Sequence, residues 1–292
     1  MSLVTTRRES CPWCGATGRT TLCDQSYDQE PLRSALKDPV PEPGLRFTVH
    51  ECRGCRTLYQ ETVYREDATA DYYESWPFEE TPLEFTLFYA QELLMILGHF
   101  DRPAGEIRVL DYGMGWGRFC QVAATLGFDV RGYDLNRNMR EHGRARAIPV
   151  IDRLEDLEPA SMDFINLEQV LEHVAAPREM IARLATRLKP GGILKVSVPP
   201  RPRALASKLR GIGALTPAQI RSGLMDIWPL IHINCFNRGA LRTVLAESLE
   251  YRRIHLNSLF LVLRRGLLLP VLGRAIYKNC APRANYLFFA RR

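Results

Sequence analysis

Residues 107–119, IRVLDYGMGWGRF, leave this chain few folds to choose from. An apolar run rich in β-branched residues stops at three alternating glycines, and Phe119, Val122, Ala123 and Leu126 then recur at helical spacing. That pattern predicts a strand, a tight turn and a helix. Glycine lets the backbone take positive φ and approach a ligand, and the helix amino terminus behind it offers unpaired N–H groups. A dinucleotide site uses G-x-G-x-x-G with a small third residue. Here the third glycine, Gly117, comes one residue early, and Arg118 stands where that pattern needs a glycine. Asp111 at the strand end would repel a pyrophosphate and attract an ammonium group.

The following hundred residues keep an α/β rhythm. Residues 128–134 (FDVRGYD) read as a second strand ending in Asp134, 21 positions after Gly113. An acid at that place meets ribose hydroxyls in nucleoside-binding α/β folds, because a carboxylate can accept from both. Leu135 and Asn136 follow. Residues 148–151 predict a third short strand, and 162–168 a fourth that ends in Glu168. The phrase LEQVLEHV then opens a helix in this reading, with Pro177 punctuating it. Residues 180–188 trace an apolar helix face, KPGG breaks it, and 193–198 form a buried fifth strand. Residues 251–257 and 285–291 read as a closing antiparallel pair.

The order and spacing of these motifs, from residue 107 to 198, resemble the class I S-adenosylmethionine-dependent methyltransferases. The resemblance implies an α/β, Rossmann-like fold with a seven-stranded, mostly parallel sheet. It implies that S-adenosyl-L-methionine is held by Asp111, Tyr112, Gly113, Gly115, Gly117, Asp134, Leu135 and Glu168. Among such enzymes the chain is similar to bacterial methyltransferases of sugars and small metabolites, some of which carry a zinc lobe in front. A tyrosine-bearing segment covers the cofactor in many relatives, and Tyr72 and Tyr73 stand where such a segment would lie.

Cys11-Pro-Trp-Cys14 and Cys52-Arg-Gly-Cys55 are two C-x-x-C knuckles. Two such pairs supply four thiolates for a tetrahedral, structural Zn²⁺ held by Cys11, Cys14, Cys52 and Cys55. The 37 residues between the knuckles exceed a usual ribbon spacing and require a looped-out segment. Residues 47–51 and 57–59 flank the second knuckle like a short hairpin. Cys23 lacks a partner knuckle, and Cys120, Cys235 and Cys280 sit in apolar phrases as core residues. The expected division is a zinc-binding lobe at 1–66, a helical lead segment at 67–100, and a methyltransferase domain at 101–292. A basic lid insertion occupies about 199–232.

Charge is unevenly placed. From Arg187 onward there are 19 basic residues against three acidic ones, while the part before it carries 20 against 30. That asymmetry suggests an anionic acceptor, such as a phosphate-bearing sugar or glycan, met by Arg201, Arg203, Lys208 or Arg210. The alternatives are an RNA acceptor and a non-catalytic zinc-ribbon adaptor. Against RNA, aromatic residues are not interleaved with the basic clusters as base stacking requires. Against an adaptor, the acid–glycine–acid series is intact. No stretch reaches the roughly 18 apolar residues of a membrane span, and no export signal is legible, so a cytoplasmic protein is expected. Residues 259–278 mix apolar runs with arginines and suit peripheral contact with the inner face of a membrane, or internal packing as the simpler reading. Three residues compete for proton chemistry: His232 first, because it faces the expected acceptor, then His173, then Glu168. Neither the acceptor nor an oligomeric state is legible.

Overall fold

The computed structural model describes residues 5–26, 46–64, 83–212, 227, 232–252 and 286–291. Its centre is a six-stranded sheet of order β11-β12-β9-β8-β6-β7. These strands are β6 (Arg108–Tyr112), β7 (Asp129–Tyr133), β8 (Met162–Glu168), β9 (Leu188–Ser197), β11 (Glu250–Arg252) and β12 (Tyr286–Ala290). β7, β6, β8 and β9 run parallel, and β12 joins β9 antiparallel with β11 outside it. The third strand expected at 148–151 contracts to one parallel bridge, Val150 to Gly132, so the seventh position is marked by a single residue. Val109, Leu110, Phe164, Ile165, Leu194 and Val196 are buried in its centre, as parallel strands covered on both faces must be.

Helices cover the sheet: α1 (Leu83–Phe100), α2 (Arg118–Thr125), α3 (Arg137–Ala145), α4 (Pro177–Arg187), α5 (Leu205–Arg210) and α6 (Arg238–Leu245). Asn136 and Asn237 cap α3 and α6 by accepting from backbone N–H groups of the first turn. Two boundaries differ from the sequence reading, and the first is β9, which starts at Leu188 and takes in the KPGG phrase. LEHV forms a 3₁₀ turn over Leu171–His173, and Pro177 starts α4 instead of interrupting it. Proline's missing N–H costs nothing at the first helical position, which is why it begins the helix.

The amino-terminal lobe has β1 (Thr5–Arg7), β2 (Arg19–Ser26), β3 (Arg46–Cys52), β4 (Leu58–Gln60) and β5 (Thr62–Tyr64). β3 and β4 form the expected hairpin around the second knuckle. The sheet β2-β3-β4 then gains a fourth strand from far along the chain, β10 (Asn234–Cys235), antiparallel to β4. α5 also packs there, with Leu205 and Leu209 against Leu22, Phe47, Val49 and Leu58. Lobe and main domain therefore share one buried surface. Trp13 is fully buried, its ring 5.1 Å from Phe236 and its Nε1–H donating to Ala240 O at 2.9 Å.

Candidate active site

The glycine turn joins β6 to α2 at the carboxyl end of the parallel strands, where open α/β sheets bind ligands. Gly113, Gly115 and Gly117 have φ of +83°, +53° and +80°. At Gly113 an added Cβ would lie 2.4 Å from Val170 Cγ2, and at Gly117 it would lie 2.5 Å from Ile148 Cδ1. At Gly115 it would meet nothing within 4 Å. The outer two glycines thus let the turn pack inward, and the middle one faces open space. Gly115 N–H donates to Asp134 Oδ2 and Asn136 N–H to Oδ1, both at 2.9 Å. Burial pushes the Asp134 carboxyl up to about 6, against the pull of those backbone bonds. Leu135 beside it is 37% exposed at the rim.

Asp111 and Tyr112 lie behind the turn. Asp111 is buried, with Oδ1 accepting from Asn166 Nδ2 at 2.8 Å and Oδ2 facing Cys120 Sγ at 3.5 Å. Its neighbour across the parallel ladder is Asn166, which explains that bond. Burial raises its carboxyl to about 7, with the Asn166 and Cys120 bonds opposing. The Tyr112 ring packs 4.7 Å from Tyr133. Glu168 ends β8, but it is held by Lys195 of β9, which also binds Glu92 of α1 at 2.6 Å. Lys195 is fully buried; burial works against its charge, and the two carboxylates outweigh burial and raise its pKa.

The two candidate histidines, 59 positions apart, come together. The His173 and His232 rings are 4.8 Å apart and edge-on. His173 Nε2 lies 3.9 Å from Glu172 Oε1. Glu172, which sequence reasoning passed over, is buried with neither carboxylate oxygen hydrogen-bonded, and burial pushes its carboxyl up to about 8. One ligand atom from each of the three lies within 4.8 Å of the others. Two imidazoles and a buried acid without a hydrogen bond can pass a proton among themselves or hold a cation. The only hint in the sequence was an acid inside the apolar phrase L-E-H-V.

The four knuckle cysteines also converge. Cys11 and Cys55 Sγ are 3.7 Å apart, Cys14 and Cys52 Sγ are 3.5 Å apart, and all four lie within 4.8 Å of one another. Tetrahedral zinc–thiolate bonds place sulfurs about 3.8 Å apart, so the residues fit one Zn²⁺. Cys23, Cys120 and Cys235 are buried elsewhere, and Cys280 lies outside the described residues. Of the basic insertion, Arg201 is turned inward. It binds the buried Glu51 at 2.9 Å and the Arg56 carbonyl, and Arg210 stands 3.9 Å from the same carboxylate. Tyr72, Tyr73 and residues 259–278 lie outside the described residues.

The family model of a methyltransferase domain matches residues 85–248, more than half of the chain. The chain belongs to that family. The chain is 34% identical over 107 residues to the ubiquinone biosynthesis O-methyltransferase of Idiomarina loihiensis, covering 33% of this chain and 44% of that protein. It is 38% identical over 105 residues to the enzyme of the same name from Xylella fastidiosa, covering 32% and 43%. The chain thus spans less than half the length of these curated relatives. Among solved structures, the PH0226 protein of Pyrococcus horikoshii aligns with TM-score 0.50 and 13% identity, covering 76% of this chain and 99% of that one. That likeness concerns the fold. No helix among the described residues is long and apolar enough to cross a membrane.

Proposed function

We propose that this methyltransferase transfers a methyl group from S-adenosyl-L-methionine to a hydroxyl of a small-molecule acceptor. The observation that carries the reading is the open space over Gly115, bounded by Asp134 and the exposed Leu135. The donor set fits a nucleoside carrying an amino acid: a carboxylate for the ribose hydroxyls, an apolar rim for adenine, and a glycine backbone open to the amino-acid end. Bound there, S-adenosyl-L-methionine supplies a methyl group made electrophilic by its sulfonium. Asp111 and Tyr112 support the turn from behind, and Glu168 keeps the cleft wall in place through Lys195.

On the acceptor side His232 takes the proton from the attacking hydroxyl, which leaves oxygen as the nucleophile. His173 and Glu172 behind it delocalise the charge that His232 acquires. Positioning of the oxygen in line with the methyl group is the larger contribution. Oxygen as the acceptor atom is supported by the names of the curated relatives. A sugar or glycan-linked hydroxyl is the finer reading, supported by the cysteine lobe in front of the domain. Arg203 and Lys208 are then the insertion's candidates for an acidic group, since Arg201 already serves Glu51. One structural Zn²⁺ on the four cysteines, and the division at residues 66 and 100, belong to the same reading.

Calorimetry with S-adenosylhomocysteine and methyl transfer from labelled cofactor to fractionated extract test it together. Saturable binding that Gly115→Ala weakens at least tenfold, with label in a small-molecule or glycan pool, is the expected result. Binding of NADH in its place, or label confined to RNA, would overturn the reading.

A further inference from the structure

The amino-terminal lobe reaches the histidine pair through one buried cation. Arg8 follows β1, and its guanidinium is enclosed by main-chain carbonyls. Nη1 donates to Asn234 Oδ1 at 2.9 Å and to the Gln60 and Ile233 carbonyls at 3.4 Å. Nη2 donates to Ala175 O at 2.8 Å and Val174 O at 3.2 Å. These acceptors belong to three segments. Gln60 ends strand β4 of the lobe; Val174 directly follows His173; Ile233 directly follows His232. Asn234 closes the arrangement, its Nδ2 donating to Leu171 O at 3.0 Å and Val174 O at 2.8 Å. Gln60 Nε2 binds the His232 carbonyl itself at 3.3 Å.

A guanidinium is suited to this place because its planar fork presents five donors at fixed angles, which an ammonium cannot reproduce. Burial lowers its pKa to about 9, still leaving it charged at neutral pH, and the neighbouring Cys11 and Tyr59 side chains act the other way. Among the described residues no carboxylate pairs with it. Four thiolates around one Zn²⁺ would carry net negative charge, so the cysteine cluster is the natural counter-charge for this arginine.

We propose that Arg8 is the positioning residue through which the cysteine lobe fixes the turn of His173 and the segment of His232 against each other. The lobe then does more than fold: it sets the geometry of the proton-handling groups without touching the substrate. This rests on the reading of His173 and His232 as the acceptor side, and its test needs no acceptor. Charged groups around the pair include Glu172 beside His173, Glu168, whose charge acts on Glu172, and Arg8 behind both backbones.

The experiment is a pH titration of imidazole ¹H–¹³C resonances in the full zinc-loaded chain, assigned with His173→Gln and His232→Gln. In Arg8→Met the His173 and His232 midpoints should rise by about half a pH unit or more, since a nearby cation disfavours imidazolium. His142, whose ring stands 5.1 Å from Trp116 beside the glycine turn, should not move. Arg8→Lys, which keeps the charge but cannot reach all five acceptors, should recover part of the shift and not the whole of it. S-adenosylhomocysteine affinity should stay within about twofold of wild type, as the glycine turn makes no bond to Arg8. Unmoved His173 and His232 signals, or an equal shift at His142, would overturn the proposal. Should Arg8→Met fail to fold, Arg8→Lys decides alone: its ammonium cannot span five acceptors, so signals identical to wild type at both histidines would overturn it. Normal turnover in His232→Ala sinks the acid–base reading only, and leaves the ring titrations to judge Arg8.

Discussion

The cofactor side and the acceptor side of this cleft are built by opposite means. The glycine turn, α2 and the end of β7 come from residues 108–136, and the decisive contacts are made by backbone or by neighbours in sequence. The histidine pair comes from a 3₁₀ turn and the irregular residues just before the short strand β10, and Arg8 and Asn234 tie it to a lobe at the other end of the chain. The first site is local and should survive damage elsewhere. The second is a meeting of distant segments and should fail whenever any one of them loosens.

The harshest test of that contrast removes a knuckle thiol. Cys52→Ser should abolish binding of about one zinc per chain and melt the lobe, as structural zinc sites contribute folding energy outright. Metal analysis and thermal unfolding read the result, and S-adenosylhomocysteine affinity that fell in parallel would show the two sides to be one unit. Next in size, His232→Ala should lower turnover by ~10²–10⁴-fold with cofactor affinity intact. Near-normal turnover at saturating acceptor would leave positioning as the whole mechanism.

A third prediction concerns the support behind the glycine turn. The Asp111 carboxyl sits near 7 in the fold, raised by burial, against about 4 in an unfolded chain. Its folded state therefore favours the proton, and the stability from that group is complete below pH 4 and lost as pH rises through 7. Asp111→Asn cannot ionise, so denaturant titrations should show it gaining on wild type by roughly 2–4 kcal/mol between pH 4 and 7. A constant difference across that range would mean that the carboxyl ionises freely. The smallest effect is expected at Asp134→Ala, which should weaken cofactor binding by ~1–3 kcal/mol while leaving imidazole signals of His173 unchanged. A moved His173 signal would erase the boundary between the two sides.

The same contrast governed what the sequence disclosed. The strand, glycine turn, second-strand acid and lead helix were legible because each is written in consecutive residues with a definite period. The C-x-x-C pairs were legible because metal chemistry fixes their spacing. Pro177 begins a helix instead of punctuating one because the LEHV phrase, helical in composition, forms a 3₁₀ turn whose Leu171 and Val174 carbonyls accept from the distant Asn234 Nδ2. Arg201 looked like a free basic residue because its partner, Glu51, lies 150 positions away. Arg8 gave no signal, and Glu172 only that of an acid in an apolar phrase, since a single arginine and a lone acid have no pattern until the chain closes around them.

The pairing of β10 with β4 also imposes an order in time. Gln60 leaves the ribosome long before Asn234, and at about 5–20 residues per second the gap is roughly ten to thirty seconds. Throughout that interval β4 is the open edge of a small sheet, and the Ile233 carbonyl and Asn234 side chain that complete the enclosure of Arg8 do not yet exist. An unpaired edge invites pairing with another nascent copy. The lobe that is made first is therefore finished last, and its exposure to aggregation is set by how quickly the main domain is translated behind it.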